Sequence, residues 1–466
     1  MIESGIKDFL KVNGIGVIED ANAEGLILTW RHWYIGKVPN FHEYKVYNGK
    51  KHIPCVRASL NMTQEICKKW ADLLLNEKVF FSCTDETTGE HLNRLLKQVN
   101  FWVRGNNLLE SAFGVGGGAF IQYWDGTQTK QEYVTQEFML PVSYDSGEMT
   151  EAVFVSDKVV DGDLYIYIQA HTEEENGHQV RNFLLKKKGK KYIEADAKTY
   201  EDAGFNSEGE QGAVKLFQVI RPNVANRLYF NSPYGTSIIS GCEDTLRALD
   251  CEFDSLYNEF LLGRKRIFVK NDLTTYAQSD TGEKIPVFDP NDGVFYSLPD
   301  DAEHEPIKEV NMDLRVEQHT LAIERCLSVL SNKVGFGAEG FRWENGRINT
   351  ATQVMSENSD QYRTVKKHEI LLEKALIEMA KGLLYVEYTH NPEASDINLD
   401  AEITVNFDDS IIEDTAEIKK QALLDFNSGL IDRVQYFVET RGMTVEEAQR
   451  FVEEMQSRVP EEPDAE

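Results

Sequence analysis

The sequence predicts an α+β fold with two or more structural units. Apolar residues recur with helical spacing over residues 237–262 and 313–332. Residues 350–388 contain no proline and suit one long helix. Residues 119–220 hold short strand-like runs separated by the turn signals DSG, DGD and ENG. A chain of 466 residues that is 41% hydrophobic and 27% charged can build real cores.

The chain is strongly acidic, with a formal net charge of -29. Such a surface favours solubility and repels polyanions at long range. It argues against a protein that grips nucleic acid through broad phosphate neutralisation. The six cysteines form no C-x-x-C pair, which is typical of reduced thiols in a protein made in the cytosol. No apolar run reaches the ~18 residues of a membrane span, and the N-terminus lacks the apolar region of a secretory signal.

The N-terminal region is crowded with aromatic side chains. Five of them fall within the stretch WRHWYIGKVPNFHEY: Trp30, Trp33, Tyr34, Phe41 and Tyr44. This density suits either a binding surface or a packed core, and we favour the core. Two amphipathic helices are predicted next, over residues 61–76 and 90–111.

A glycine run, FGVGGGAFIQYW, follows these helices. Gly114, Gly116 and Ala119 match the G-x-G-x-x-A spacing of dinucleotide-binding turns. That fingerprint should follow a strand and open a helix. Here a helical pattern precedes the run, and residues 119–124 are predicted to be a strand. The context therefore favours a backbone hinge or close glycine packing over a nucleotide site.

The two periodic helices flank an inserted segment, residues 263–312, that is long enough for a strand-rich lobe. Strands are expected near residues 267–269, 285–288 and 294–297. The lobe begins with a basic cluster consisting of Arg264, Lys265, Arg266 and Lys270. These cations suit contact with phosphates or complement the C-terminus of the preceding helix. The first helix places Asp250 and Asp254 on the face opposite its apolar residues.

A glycine-rich loop, GFGAEGFRWENG, connects the second helix to the third over residues 335–346. Beyond the third helix, residues 401–407 alternate as a strand. Asp414 with Glu417, and Thr444 with Glu447, resemble capping boxes for two further helices. The tail that carries them is strongly anionic.

No catalytic signature is recognised. The chain has no G-x-x-x-x-G-K-[ST], no H-E-x-x-H and no G-x-S-x-G. Its ten histidines lack metal-ligand spacing. The sequence therefore predicts no enzyme, no cofactor and no metal site.

Five segments, in order along most of the chain, resemble the portal proteins of tailed bacteriophages. Among these head-to-tail connectors, the chain most closely resembles the type common in siphophages of Gram-positive hosts. The segments are WRHWYIGKVPNFHEY, RASLNMTQEICKKWADLLLNEKV, LDCEFDSLYNEFLLGRKRIFV, NTATQVMSENSDQYRTVKKHE and VNFDDSIIEDTAEIKKQALLDFNSGLI. Each is a soft motif, and their order and sum carry the resemblance.

The resemblance implies an elongated portal-like subunit with an α/β wing, a long-helix stem, a small β-containing clip and a helical crown. The implied parts are a wing over 1–235, a first stem helix over 236–262, a clip over 263–312, a second stem helix over 313–333, a tunnel loop over 334–349, a long wing helix over 350–389, a wing strand region over 390–412, and a crown with acidic tail over 413–466.

The resemblance also implies a function. Twelve copies would form a ring at the capsid vertex of the virion, after synthesis in the host cytoplasm. Double-stranded DNA would pass through the ring during packaging and ejection. Terminase, a head-completion or adaptor protein, and the major capsid and scaffolding proteins would be partners, with no membrane involved. Two alternatives stay open: an enzyme acting on nucleotides or nucleic acid, suggested by the glycine run, and a virion scaffold protein without a channel.

The candidate channel residues belong to the tunnel loop and its borders: Lys333, Gly335, Phe336, Gly337, Gly340, Phe341, Arg342, Trp343, Gly346 and Arg347. An acidic ring wall lets DNA slide, whereas many phosphate contacts would hold it. A few loop cations, namely Lys333, Arg342 and Arg347, are expected to touch the duplex. Phe341 and Trp343 either lie beside them or anchor the loop to the third helix. Shortening the loop should spare assembly and impair DNA packaging.

Overall fold

The computed structural model is α+β, as the sequence predicts. It describes residues 2–76, 79–174, 177–189, 191–204, 210–227, 229–263, 266–270, 276–278, 284–286, 295–298, 307–310, 313–338, 340–341, 351–407, 422–441 and 448–452. Within this part of the chain, no helix has both the length and the apolarity that crossing a lipid bilayer requires.

Five helices of the N-terminal region come first in chain order: α1 (Ser4–Val12), α2 (Ala21–Tyr34), α3 (Met62–Leu74), α4 (Glu86–Gln98) and α5 (Phe101–Val115). Helix α3 confirms the prediction over residues 61–76. The prediction of one helix over residues 90–111 is wrong, because Asn100 adopts a left-handed φ of 51° and separates α4 from α5. Trp30, Trp33 and Phe41 are buried, which confirms a packed core.

The strands of this region are β1 (Glu43–Tyr47), β2 (His52–Val56), β3 (Phe80–Cys83), β4 (Gly118–Trp124), β5 (Thr129–Thr135), β6 (Met139–Asp145), β7 (Glu148–Val160), β8 (Asp163–Glu174), β9 (Gly177–Lys188), β10 (Lys191–Glu194), β11 (Glu210–Gly212) and β12 (Phe217–Ile220), with helix α6 (Ala197–Ala203) between β10 and β11. The largest sheet is antiparallel, in the order β10-β9-β8-β7-β6, and β11 pairs with β9. A second sheet has the order β12-β4-β5. The Ser146-Gly147 and Asp161-Gly162 turns both have two positive φ angles, which matches the twist of tight hairpins.

The glycine run joins α5 directly to β4, as predicted. Gly116 has a φ of 105°, and a Cβ there would lie 2.8 Å from the carbonyl oxygen of Gly235. A Cβ on Gly117 would lie 2.7 Å from Oε1 of Gln136. These glycines therefore permit close backbone packing. The strand-then-helix setting of a dinucleotide turn is not present here.

Three long helices dominate the second half of the chain: α7 (Glu243–Leu262), α8 (Val316–Lys333) and α9 (Ala351–His390). The 40 residues of α9 span roughly 60 Å. The predicted start of α7 at residue 237 is wrong. Gly241 has a φ of 84°, and the backbone N–H of Ile238 donates to the carbonyl of Phe113. Residues 237–242 therefore form turns against α5.

The inserted lobe is strand-rich, as expected. It contains β13 (Arg266–Lys270), β14 (Tyr276–Gln278), β15 (Lys284–Pro286), β16 (Phe295–Leu298) and β17 (Ile307–Val310). Strand β13 lies between β16, which is parallel to it, and the antiparallel β17. Strands β14 and β15 pair with each other.

The C-terminal part begins with strand β18 (Ile403–Asn406), which pairs with β3 and confirms the predicted strand. Helix α10 (Arg433–Arg441) was not predicted. Residues 422–427 and 448–452 are also helical. The capping boxes proposed at Asp414 with Glu417 and at Thr444 with Glu447 lie outside the described residues.

Candidate functional site

The helices α7 and α8 lie side by side as a pair. Leu246 and Leu249 of α7 are buried in the same apolar cluster as Ile323, Leu327 and Leu330 of α8. This packing explains the heptad-like spacing of α8. The pair has two ends, which we call the loop end, where α8 stops, and the lobe end, where α7 stops.

Two carboxylates fasten α7 to the N-terminal region. Asp250 is 5% exposed and accepts hydrogen bonds from His42 Nε2, Ser59 Oγ and the backbone N–H of Leu60, each at 2.9 Å. Asp254 accepts from the backbone N–H of Ala58 at 2.9 Å. Both aspartates lie on the face of α7 opposite its apolar residues, and the chain before α3 covers them there.

The imidazole of His42 has a defined tautomer in this contact. Its Nδ1 accepts a hydrogen bond from the backbone N–H of Val38 at 2.8 Å. Nε2 therefore carries the proton that is donated to Asp250. The histidine at the end of the aromatic segment thus places the N-terminal chain on α7.

At the lobe end, the two helices are joined by an ion pair. The guanidinium of Arg315 donates to both carboxylate oxygens of Glu259, at 3.0 Å from Nε and 2.9 Å from the terminal nitrogen. Its backbone N–H donates to the same carboxylate. The bond from Arg315 lowers the pKa of Glu259 to about 2. His319 lies beside this pair, with Nδ1 3.2 Å from Oε2 of Glu252.

At the loop end, α3 holds the chain that leaves α8. We call residues 334–338 and 340–341 the loop start. The indole N–H of Trp70 donates to the carbonyl oxygen of Val334 at 3.1 Å, and its ring stacks on Phe336 with centroids 4.5 Å apart. Trp70 is fully buried and Phe336 is 2% exposed. The loop start is therefore part of the core.

Lys69 adds a second contact from α3. Its ammonium donates to the carbonyl oxygen of Gly340 at 2.8 Å and lies 4.7 and 4.9 Å from the ring centres of Phe336 and Phe341. Burial lowers the pKa of Lys69. The two rings offer cation–π attraction that offsets part of this desolvation.

Gly335 allows the sharp turn that brings Phe336 to Trp70. Its φ is 90°, and a Cβ there would lie 2.7 Å from Cγ2 of Thr364 on α9. Gly340 is also crowded, since a Cβ there would lie 2.5 Å from Cβ of Phe336. These contacts leave no space for side chains at the two positions.

Helix α9 carries three buried ionisable groups among its described residues, Glu369 and two with shifted pKa values, His368 and Glu387. Nδ1 of His368 accepts a hydrogen bond from the backbone N–H of Asn223 at 3.0 Å. Burial lowers the pKa of His368 to about 3, so the imidazole is neutral. Glu387 is buried, which pushes its pKa up. Hydrogen bonds from Thr129 at 2.6 Å and Asn391 at 2.7 Å, together with Arg94, outweigh burial and leave the pKa below its ordinary value.

The predicted channel residues fall into three groups. Lys333 donates to the carbonyl of Gly241 at 3.3 Å and to Oγ1 of Thr245 at 3.0 Å, so it links α8 to α7. The candidates packed as described above, or adjacent to that packing, are Gly335, Phe336, Gly337, Gly340 and Phe341. The candidates outside the described residues are Arg342, Trp343, Gly346 and Arg347.

The basic cluster of the lobe is also divided. Arg264 and Lys265 lie outside the described residues. Arg266 and Lys270 are the first and last residues of β13, the middle strand of its sheet.

Sequence reasoning missed the residues that hold the loop start and the helix pair. The sequence placed Trp70 only within the amphipathic helix predicted over residues 61–76, and it placed Asp250 on the face of its helix opposite the apolar residues. The signal that could have indicated a buried polar contact is His42, a polar residue within a dense aromatic core segment. Among the described residues, no three His, Cys, Asp or Glu side chains come together in a way that could hold a metal ion.

Comparison with known families identifies the protein. A search of curated proteins gives no match. The model of the family described as phage portal protein, SPP1 Gp6-like, matches residues 20–457, which include the α7–α8 pair, the lobe, the loop start and α9. Because this match spans nearly the whole chain, the protein belongs to the SPP1 Gp6-like family of phage portal proteins.

Proposed function

We propose that this portal protein acts as one subunit of a closed ring of twelve, at the portal vertex of the virion, through which double-stranded DNA passes. The family is structural and not catalytic, which supports a passive conduit served by a separate packaging motor. Synthesis in the host cytoplasm, binding of terminase and a head-completion protein, and contact with major capsid and scaffolding proteins belong to the same proposal.

The observation that carries this proposal is the outer surface of the α7–α8 pair. Tyr257 and Phe260 of α7 are 58% and 52% exposed, while Leu321 and Val329 of α8 are each 49% exposed. Large apolar side chains in water favour burial against a partner. A ring built by head-to-tail contact needs two different adhesive faces on each subunit. In this proposal, the exposed apolar residues of α7 and of α8 provide one such face each.

The same proposal assigns the parts of the subunit. We assign the α7–α8 pair to the stem, as residues 236–262 and 313–333, and the lobe, residues 263–312, to the clip. Residues 1–235, 350–389 and 390–412 form the wing, whose contacts with α7 include the His42–Asp250 bond. Residues 334–349 form the tunnel loop, and residues 413–466 form the crown and acidic tail.

The contact with DNA is best assigned to the later part of the tunnel loop. Lys333 bonds to α7, and Phe336 is buried against Trp70, so neither is well placed to meet a duplex. Arg342 and Arg347 then become the candidate cations. A small number of phosphate contacts per subunit is compatible with sliding.

The test uses the full chain and a variant lacking residues 342–346, which keeps the Trp70–Phe336 contact. Both proteins are expected to form rings with a central hole in electron micrographs and the same mass in solution. Only the unmodified chain should support DNA packaging with the cognate motor and capsid.

The controls separate the ring from the loop. A deletion of equal length at residues 461–465, in the acidic tail, should leave packaging intact. A full chain that stays monomeric under all conditions, or forms a particle without a hole, would refute the ring. Loss of rings in the 342–346 deletion alone would show that this segment has a structural role.

A further inference from the structure

The hairpin of β1 and β2 forms a two-stranded sheet of its own. Its base is well held, because the backbone N–H of Arg57 donates to the carbonyl of His42 at 2.7 Å and the guanidinium donates to the carbonyl of Phe41 at 2.6 Å. Beyond the base, almost every residue of both strands is exposed. A lone two-stranded hairpin is marginally stable in water.

One face of this hairpin is apolar. The register places Tyr44 opposite Cys55 and Val46 opposite Ile53, and strand alternation puts these four side chains on one face. Val46 is 47% exposed and Ile53 is 39% exposed. Tyr44 is partly covered by the guanidinium of Arg57, which lies 4.8 Å from the ring centre. Such a face normally packs on a core.

The hairpin is also basic in an acidic protein. Residues 43–57 contain four cations and one carboxylate, whereas the whole chain has 78 acidic residues against 49 Lys and Arg. Lys50 and Lys51 are at the turn, where their backbone N–H groups donate to Oδ1 of Asn48. An anionic partner with apolar surface would complement both properties.

We propose that this hairpin is an arm that lies on the neighbouring subunit of the ring, with its apolar face against that subunit's surface and its lysines near that subunit's carboxylates. A second copy of the chain supplies both the apolar and the acidic surface. The DNA backbone is the other polyanion available, but phosphates would leave Val46 and Ile53 uncovered. The position supports this choice, since the hairpin leaves the core beside the α7 contact of Asp254 with Ala58. The inference rests on the proposed ring.

The first experiment compares the double variant Val46→Ser, Ile53→Ser with Val56→Ser. Val56 is on the opposite face of the same hairpin and is 78% exposed, so it is a matched control. Removing two apolar contacts at each interface should weaken subunit association roughly ten- to hundredfold, measured by mass photometry over a dilution series. The control should associate like the unmodified chain. Circular dichroism of the monomers checks that all three proteins fold.

A second measurement does not depend on loss of assembly. A photo-reactive phenylalanine analogue at position 46 is activated in rings made from a mixture of isotopically light and heavy subunits, with and without duplex DNA. Peptides that join a light and a heavy chain are the expected result. If rings form but cross-links occur only within one chain, or only to DNA, the hairpin does not lie on the neighbouring subunit and the proposal is refuted. If the unmodified chain forms no rings, the proposed function itself fails.

Discussion

The two ends of the α7–α8 pair are held by different kinds of contact. At the loop end, the indole of Trp70 is fully buried, stacked on Phe336 and bonded to the carbonyl of Val334. At the lobe end, Glu259 pairs with Arg315, whose side chain is 67% exposed. Packing in a core is insensitive to salt and pH, whereas an exposed ion pair is sensitive to both. We therefore call the loop end the fixed end, because its contacts should not change with salt or pH. We call the lobe end the adjustable end, because its ion pair should weaken in acid and in high salt.

The strongest way to test the fixed end is Trp70→Ala. The change removes a buried aromatic ring and leaves a cavity, so it should lower the free energy of unfolding by about 3–5 kcal/mol. Trp70→Phe keeps most of the ring and loses the bond to Val334, which should cost about 1 kcal/mol. Thermal denaturation of the two variants measures both effects. Phe230→Ala, at a position that is 88% exposed, is the control. Equal stability of all three variants would refute a fixed loop end.

The middle of the pair should be next in sensitivity. Asp250→Ala leaves the N–H groups of His42 and Leu60 buried without an acceptor, which should cost about 2–3 kcal/mol of folding free energy. Asp244→Ala, on an exposed part of the same helix, removes an equal charge and should cost less than 1 kcal/mol. Urea denaturation followed by fluorescence gives both values. If both alanine variants lose the same free energy of unfolding, the buried contacts of Asp250 do not hold α7 to the N-terminal region.

The difference between the ends also explains what the sequence could and could not predict. The long helices are encoded locally, by apolar periodicity and the absence of proline. The breaks at Asn100 and Gly241 depend on single left-handed residues that leave the apolar pattern intact on both sides. The contact of Trp70 with Val334 joins residues 264 positions apart. Asp250 finds its partners 190 to 208 positions away, so neither contact leaves a periodic signal.

The candidate site was predicted in outline for the same reason. The glycine-rich loop is visible as composition, and its position between two helices follows from their periodicity. Nothing in the local sequence distinguishes a side chain that anchors the loop from one that contacts DNA. The role of Phe336 as an anchor is visible only in the structure, where its ring stacks on Trp70. The exposed apolar face of the hairpin likewise needed the register of Val46 with Ile53.

The smallest effect, at the lobe end, is also the most informative about the comparison. Arg315 holds the pKa of Glu259 at about 2, below the ordinary value of 4.5. A carboxylate with a lowered pKa contributes stability above its unfolded pKa, and that contribution is lost as the pH falls from about 4.5 through about 2. The Glu259→Gln variant should therefore be slightly less stable than the unmodified chain at pH 7, with the gap closing in this acidic window and in high salt.

Thermal melts over pH and salt series measure that gap, and Trp70→Phe serves as the reference from the other end. The loss in Trp70→Phe should stay constant with salt, because it comes from a buried hydrogen bond and packing. Arg315→Gln should reproduce the Glu259→Gln profile, and combining the two should add little, because each removes the same pair. A stability difference that does not change with pH or salt would mean that Glu259 stabilises the helix pair by packing. The two ends of the helix pair would then be held in the same way, and the adjustable end would not exist.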